Sequence, residues 1–436
     1  MKRALILVLF LAGGMLLQGC AVGLKPWSPG TLDIHCINTG RGESTFFVFP
    51  DGTTMLVDAA GSTLKKHKHM PTPPKPDSTT TSGRVIIDYI HHFAPKAPNA
   101  SSPQKAPKGS NTPKGPNAPK GPNSPTDTLD WFVLTHYHAD HMGELSKDTP
   151  AHPKAGFRLT SLCEVGSEIP IRHFLSRGDP TEVKSSGMTN EKNMANFAKF
   201  LNWTRKANGT RYDFFEPAAD DQIHPVHKPV KDFTVRNIAA NGRYRLPGTN
   251  EWATDIPEKA VLDSLGDPKA YPGENVFSTA FILSYGPFDY FGGGDLQYSN
   301  KSLHPYFDIE EPVSRVCSKV EVMKASHHCT KGANGQPILD ALRPDAVVAH
   351  VWRDVQPNPE TLGRVYKASP DCRVFLTNLS DSNKPVIAEY LDRIQSTSGH
   401  ILIRVSRGGR KYTIYTLDDT NPGYRVTGRW GPYKCK

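Results

Sequence analysis

Three histidines and an aspartate crowd into six positions in the stretch His136-Tyr-His138-Ala-Asp140-His141. Imidazole nitrogens beside a carboxylate are the donor set taken by borderline divalent cations such as Zn²⁺, Mn²⁺ or Fe²⁺. Alternation puts His136 and His138 on one side, and Asp140 and His141 follow as the chain turns toward Gly143. Two adjacent metal positions can then be served, which is the arrangement of a two-metal hydrolytic centre. A second candidate is Asp295, which follows Gly292-Gly-Gly294, glycines that let backbone approach a metal closely. A third is the pair His327-His328, at the end of Val320-Glu-Val-Met-Lys324-Ala-Ser.

These residues need elements to carry them. Trp131-Phe-Val-Leu-Thr135 reads as a buried strand that delivers the histidine cluster. Upstream, Asp33–Ile37, Ser44–Phe49 and Thr53–Asp58 read as three strands, with Pro50-Asp-Gly52 as the turn between the last two. Phe288–Phe291 follows Ser278–Tyr285 across Gly286-Pro287 as a hairpin ending near Asp295. Helices are expected over 84–93, 190–206, 337–344 and 359–366, with strands over 233–240, 345–351, 401–405, 411–416 and 424–427. His173, His224 and His227 stand alone in polar surroundings and read as bystanders.

The cluster His136-x-His138-x-Asp140-His141 at a strand end is the signature of the metallo-β-lactamase superfamily, which this sequence resembles. Ile34-His-Cys-Ile-Asn38-Thr-Gly40-Arg-Gly42-Glu43-Ser44 is similar to the opening motif of ComEC-like (competence-type) metallo-hydrolases, with Arg41 and Glu43 in place of that motif's Gln and Asp. Val320–Thr330 resembles the same branch's Leu-Lys-Val-Pro-His-His-Gly-Ser, with Cys329 and Thr330 replacing Gly and Ser. The resemblance implies an α/β fold, an αβ/βα four-layer sandwich of two mixed β-sheets with helices outside. It implies two divalent metal ions, Zn first and Mn or Fe as alternatives, held by His136, His138, Asp140, His141, Asp295 and His327. Asp58 would orient the histidine turn, Asp140 would also hold the attacking water, and His328 would contact substrate or shuttle a proton. The family's further histidine falls at Glu274 or Asn275, where Glu274 is the candidate extra oxygen ligand. Gln356 stands where the branch often has a histidine and could bind but not transfer a proton.

The implied activity is metal-dependent hydrolysis, with a phosphodiester, nucleic acid included, as the expected substrate. The residues leave open an ester, thioester, lactone or β-lactam substrate, or a non-catalytic envelope protein that keeps the fold.

The chain has 436 residues. Residues 31–436 are expected to form one domain, with Pro/Lys-rich inserts at 64–83 and 94–128. Lys108–Pro125 repeats a six-residue unit, a solvated composition that cannot build a core. Between 64 and 128 ten Lys and Arg face three Asp; with Lys2 and Arg3 this accounts for the formal net charge of +9. The catalytic body is thus near neutral, and the basic pI by itself gives no case for nucleic-acid binding.

Lys2 and Arg3 precede an apolar run ending in Leu17-Gln-Gly-Cys20, which resembles a bacterial lipobox. Residues 1–20 are therefore expected to be a lipoprotein signal peptide, with lipidation at Cys20 tethering the protein to a membrane. In an exported protein the remaining cysteines, 36, 163, 317, 329, 372 and 435, are an even set from which disulfides could form, with fifteen pairings open.

Overall fold

The computed structural model describes residues 24–61, 72–96, 128–182, 185–299 and 304–436. Cys20, the 1–20 leader and the repeats at 108–125 lie outside the described residues. Among the described residues no helix is long and apolar enough to cross a membrane.

Two nine-stranded mixed sheets form the centre. From edge to edge the first runs Val426–Lys434, Lys411–Leu417, His400–Val405, Leu32–Cys36, Thr45–Val48, Thr54–Val57, Leu129–Leu134, Ile171–Ser176 and Arg211–Phe214. The second runs Ile394–Ser396, Arg373–Leu376, Ala346–Ala349, Val322–Lys324, Phe288–Gly293, Ala280–Tyr285, Phe233–Ala240, Arg243–Arg245 and Trp252–Ala253.

Strand alternation explains the layering. Phe47 and Phe49 point into a core between the sheets with Val133, Phe281, Leu283 and Val348, while Phe46 and Val48 point the other way. The outward side of the first sheet is covered by Ser82–Phe93, Ser161–Glu168 and Glu191–Asn208, through residues such as Ile86, Ile90, Leu162 and Phe200. The outward side of the second is covered by Gln336–Leu342 and Pro359–Ala368, through Ile338, Leu339, Leu342, Leu362 and Val365. Three apolar layers between four structural layers make an α/β sandwich, as the sequence suggested.

Strand direction places the chemistry. Leu129–Leu134 pairs in parallel with Thr54–Val57 and Ile171–Ser176, and Val322–Lys324 with Phe288–Gly293 and Ala346–Ala349. The carboxyl ends of parallel neighbours emerge together, so Asp58, the histidine turn, Asp295 and His327-His328 all leave their sheets at one edge.

The structure adds two features to the sequence reading. All six cysteines from Cys36 onward are free, and the four most buried, Cys36, Cys163, Cys329 and Cys372, sit within the apolar packing as small hydrophobes. The described part of the Pro/Lys-rich insert at 64–83, from residue 72 on, docks onto the body. Thr72 is buried with its hydroxyl oxygen 2.9 Å from the carbonyl oxygens of both Gly40 and Trp352, between which its one proton is shared. Lys75 reaches Asp419 at 3.2 Å, so this segment straps across the body before Thr81 caps the helix Ser82–Phe93.

Candidate metal centre

Asp58 organises the histidine turn. It sits at positive φ (58°) just past its strand, fully buried. Its carboxylate accepts the Thr135 amide at 2.8 Å and the Thr135 hydroxyl at 2.7 Å, and takes His141 Nδ1 at 2.7 Å. With Nδ1–H committed to Asp58, the His141 Nε2 lone pair points inward, 3.2 Å from Asp295 Oδ2.

His328 is set in the same way from the second sheet. Its Nδ1 donates to the His350 carbonyl at 2.9 Å, leaving Nε2 facing Asp140 Oδ2 at 3.3 Å and Asp295 Oδ2 at 3.4 Å. His136 and His138 face each other, Nε2 to Nδ1, at 2.9 Å.

Two close approaches make this crowding possible. Gly42 has φ +70°, and a Cβ there would lie 2.0 Å from the Asp140 carbonyl oxygen. A Cβ on Gly294 would lie 2.6 Å from Thr135 Oγ1 and 2.7 Å from its Cβ, so only glycine lets the Asp295 loop rest on the end of the histidine strand.

Three sets of donors converge with all ligand atoms within 4.8 Å of one another: His136, His141 and Asp295; Asp140, His141 and His328; and Glu43, Asp295 and His328. His141 Nε2 and His328 Nε2 are buried and carry no hydrogen bond among the described residues. Buried imidazole nitrogens left open toward carboxylates fit a divalent metal by burial, donor type and convergence alike.

Electrostatics point the same way. Burial alone would lower the His141 pKa, yet the charges of Asp295 and Asp58 outweigh it and hold the ring well above its ordinary value. At His328 burial is again opposed, chiefly by Asp295 and Asp140, and the pKa is pushed up to about 9. Asp295 would be raised by burial, but His328, His141 and His327 hold it well below the usual carboxylate range. The carboxylates thus favour positive charge at this point, which is what a divalent cation would supply.

The structure arranges the other candidates differently from the sequence reading. His327, expected as the ligand of the second metal, has its side chain 32% exposed, with Nε2 3.9 Å from Asp295 Oδ2; its neighbour His328 occupies the inward position. The cause is a left-handed turn, with φ of 47°, 54° and 62° at His327, His328 and Cys329, which rotates the second ring rather than the first into the cluster.

Glu274 is not turned to the metal donors. One oxygen accepts Arg177 Nε at 2.7 Å and the Tyr137 amide at 2.8 Å; the other accepts Arg177 Nη2 at 2.9 Å and the Ser185 hydroxyl. A fully buried arginine requires that carboxylate. Asn275 faces the His327 ring at 3.2 Å. Gln356 is buried, and its carbonyl accepts the Trp352 and Arg353 amides at 3.1 and 3.0 Å, so it shapes a turn instead of meeting substrate. His173 stacks on Trp131 with centroids 4.4 Å apart, outside the cluster.

Sequence reasoning missed Lys324 and Glu43. A lysine closing an apolar strand was the available signal, and the structure buries it against Glu43 at 2.5 Å beneath Asp295.

No family model matches this sequence, and no curated protein matches it. A crystal structure from Parabacteroides distasonis ATCC 8503, provisionally named a metal-dependent hydrolase, matches over 79% of this chain and 92% of its own, at 12% identity and a TM-score of 0.32. At that score and identity the likeness adds nothing to the case for the site, which rests on its own donors.

Proposed function

We propose that this protein is a metal-dependent hydrolase, and that phosphodiesters are its substrate class. One observation carries the first part: the open Nε2 atoms of His141 and His328 converge with the carboxylates of Asp140 and Asp295 at the carboxyl ends of parallel strands. His141, His328, Asp140 and Asp295 would hold a cation, with His136 and His138 at the neighbouring position. A divalent metal there supplies Lewis-acid polarisation and water activation at neutral pH.

The chain's own residues do the rest. Asp58 fixes the tautomer and direction of His141, and the His350 carbonyl does the same for His328. Asp140, partly exposed at 18%, is the carboxylate at the mouth and the candidate to hold an attacking water by hydrogen bond. His327, half-buried beside it, is placed to meet substrate.

The phosphodiester part is supported by the ComEC-like stretches Ile34–Ser44 and Val320–Thr330. The lipobox-like Leu17–Cys20 supports a membrane-tethered, exported location.

The test is metal content per chain and hydrolysis of bis(p-nitrophenyl) phosphate, before and after chelation and after adding back Zn²⁺ or Mn²⁺. Bound metal with turnover that chelation abolishes and metal restores is the expected result. Metal without turnover would remove the substrate class, and a chain that takes up no metal would overturn the reading.

A further inference from the structure

Lys324 ends the strand Val322–Lys324 and is buried. An ammonium taken out of water must be fully partnered, so its partners show what it is for. Nζ donates to the carbonyls of Gly293 at 3.0 Å and Gly294 at 2.9 Å, pairs with Glu43 Oε2 at 2.5 Å, and lies 3.9 Å from Asp295 Oδ1. Two of these four contacts go to the glycines that immediately precede Asp295.

Glu43 ties the pair to the opposite sheet. Its amide donates to the Asp140 carbonyl at 3.0 Å and its own carbonyl accepts the Ala60 amide at 3.0 Å. One residue thus grips the histidine turn through its backbone and Lys324 through its side chain. The Asp295 carboxylate is divided accordingly: Oδ1 faces Lys324, whereas Oδ2 faces His141 and His328.

Building on the metal-centre reading, we infer that Lys324 and Glu43 are a positioning pair that docks the Asp295 loop onto the histidine turn before metal arrives and aims Oδ2 at the cation. The strand Phe288–Gly293 ends in two glycines and Gly294 follows it, so the backbone leading into Asp295 has more freedom than other residues would give it. Without the pair, metal binding must order the loop itself, and that ordering cost comes out of the affinity. A merely architectural ion pair would leave metal affinity untouched when both its charges are removed together.

The experiment compares the full-length chain with Lys324→Met and with Lys324→Met/Glu43→Gln. The single variant leaves Glu43 buried and unpaired and is vulnerable in folding; the double variant removes both charges, a change that buried pairs often tolerate. Zn²⁺ affinity is read by chelator competition, and amide exchange at residues 293–296 is read in the metal-free proteins. The double variant is expected to keep its thermal midpoint, exchange faster at 293–296, and bind Zn²⁺ about ten-fold or more weakly, the scale of lost outer support at metal sites. Zn²⁺ affinity within two-fold of the parent overturns the inference, and so does weaker binding with unchanged exchange at 293–296, which would make Glu43 itself a metal ligand. A parent chain that binds no Zn²⁺ overturns the metal reading itself, a different failure that is visible before any variant is compared.

Discussion

His141 Nδ1 lies 2.7 Å from Asp58 Oδ2, and the same carboxylate takes the amide and hydroxyl of Thr135. One buried side chain at the end of Thr54–Val57 thereby sets both the backbone entering the histidine turn and the ring leaving it. Asp58→Ala is expected to weaken metal binding by about 10–100-fold, the range for residues that orient a ligating histidine. Chelator competition on the folded variant checks this; unchanged affinity would show that His141 holds its direction without Asp58.

Arg177 and Glu274 form an ion pair with both side chains wholly buried, at 2.7 Å. Glu274→Gln leaves the guanidinium charge uncompensated and is expected to cost about 3–5 kcal/mol of stability. Metal content of the protein that still folds should stay at the parent level, because Glu274 is spent on Arg177, Tyr137 and Ser185. Denaturant midpoints and metal analysis on the same sample separate these effects, and metal loss without destabilisation would restore Glu274 as a ligand.

Much of this site was legible because its signals are local. The histidine cluster, the glycines before Asp295 and the paired histidines after Lys324 each occupy one short stretch, and strand patterning put them at strand ends. What was hidden depends on partners far along the chain. Glu274 meets Arg177 across 97 positions, and nothing near either residue announces the other. The choice between His327 and His328 is set by three consecutive left-handed residues, two of them histidines and none a glycine, so the usual glycine marker was missing. The even cysteine count left bridges open, but all six thiols from Cys36 onward are free, and Cys36, Cys163, Cys329 and Cys372 serve as buried apolar side chains.

Gly294→Ala tests the close contact at the sheet edge. The added Cβ would press on Thr135 at 2.6 to 2.7 Å, and overpacking of this kind costs about 1–3 kcal/mol. Because the displaced loop carries Asp295, metal affinity should fall as well. A variant as stable and as metal-competent as the parent would mean that the loop relaxes freely there.

His400 gives the fold a pH dependence away from the metal centre. Its Nδ1 accepts the Asn38 amide at 2.9 Å, which requires an uncharged nitrogen, and burial pushes the ring pKa from 6.5 down to about 4. As pH falls below 6.5 the unfolded chain takes up the proton while the folded chain refuses it. The stability His400 contributes is therefore complete above 6.5 and is lost as pH falls toward 4, at about 1.4 kcal/mol per pH unit. Denaturant midpoints at pH 7.5, 5.5 and 4.5 should drop more steeply in the parent than in His400→Gln; parallel curves would contradict this.

In the pair His327-His328 the second imidazole is the one turned inward to the metal donors. Metal content per chain in His328→Ala and His327→Ala, prepared side by side under Zn²⁺-replete conditions, tests it most directly. The structure predicts metal loss in His328→Ala and near-parent content in His327→Ala. Retention in His328→Ala with loss in His327→Ala would instead make His327 the ligand.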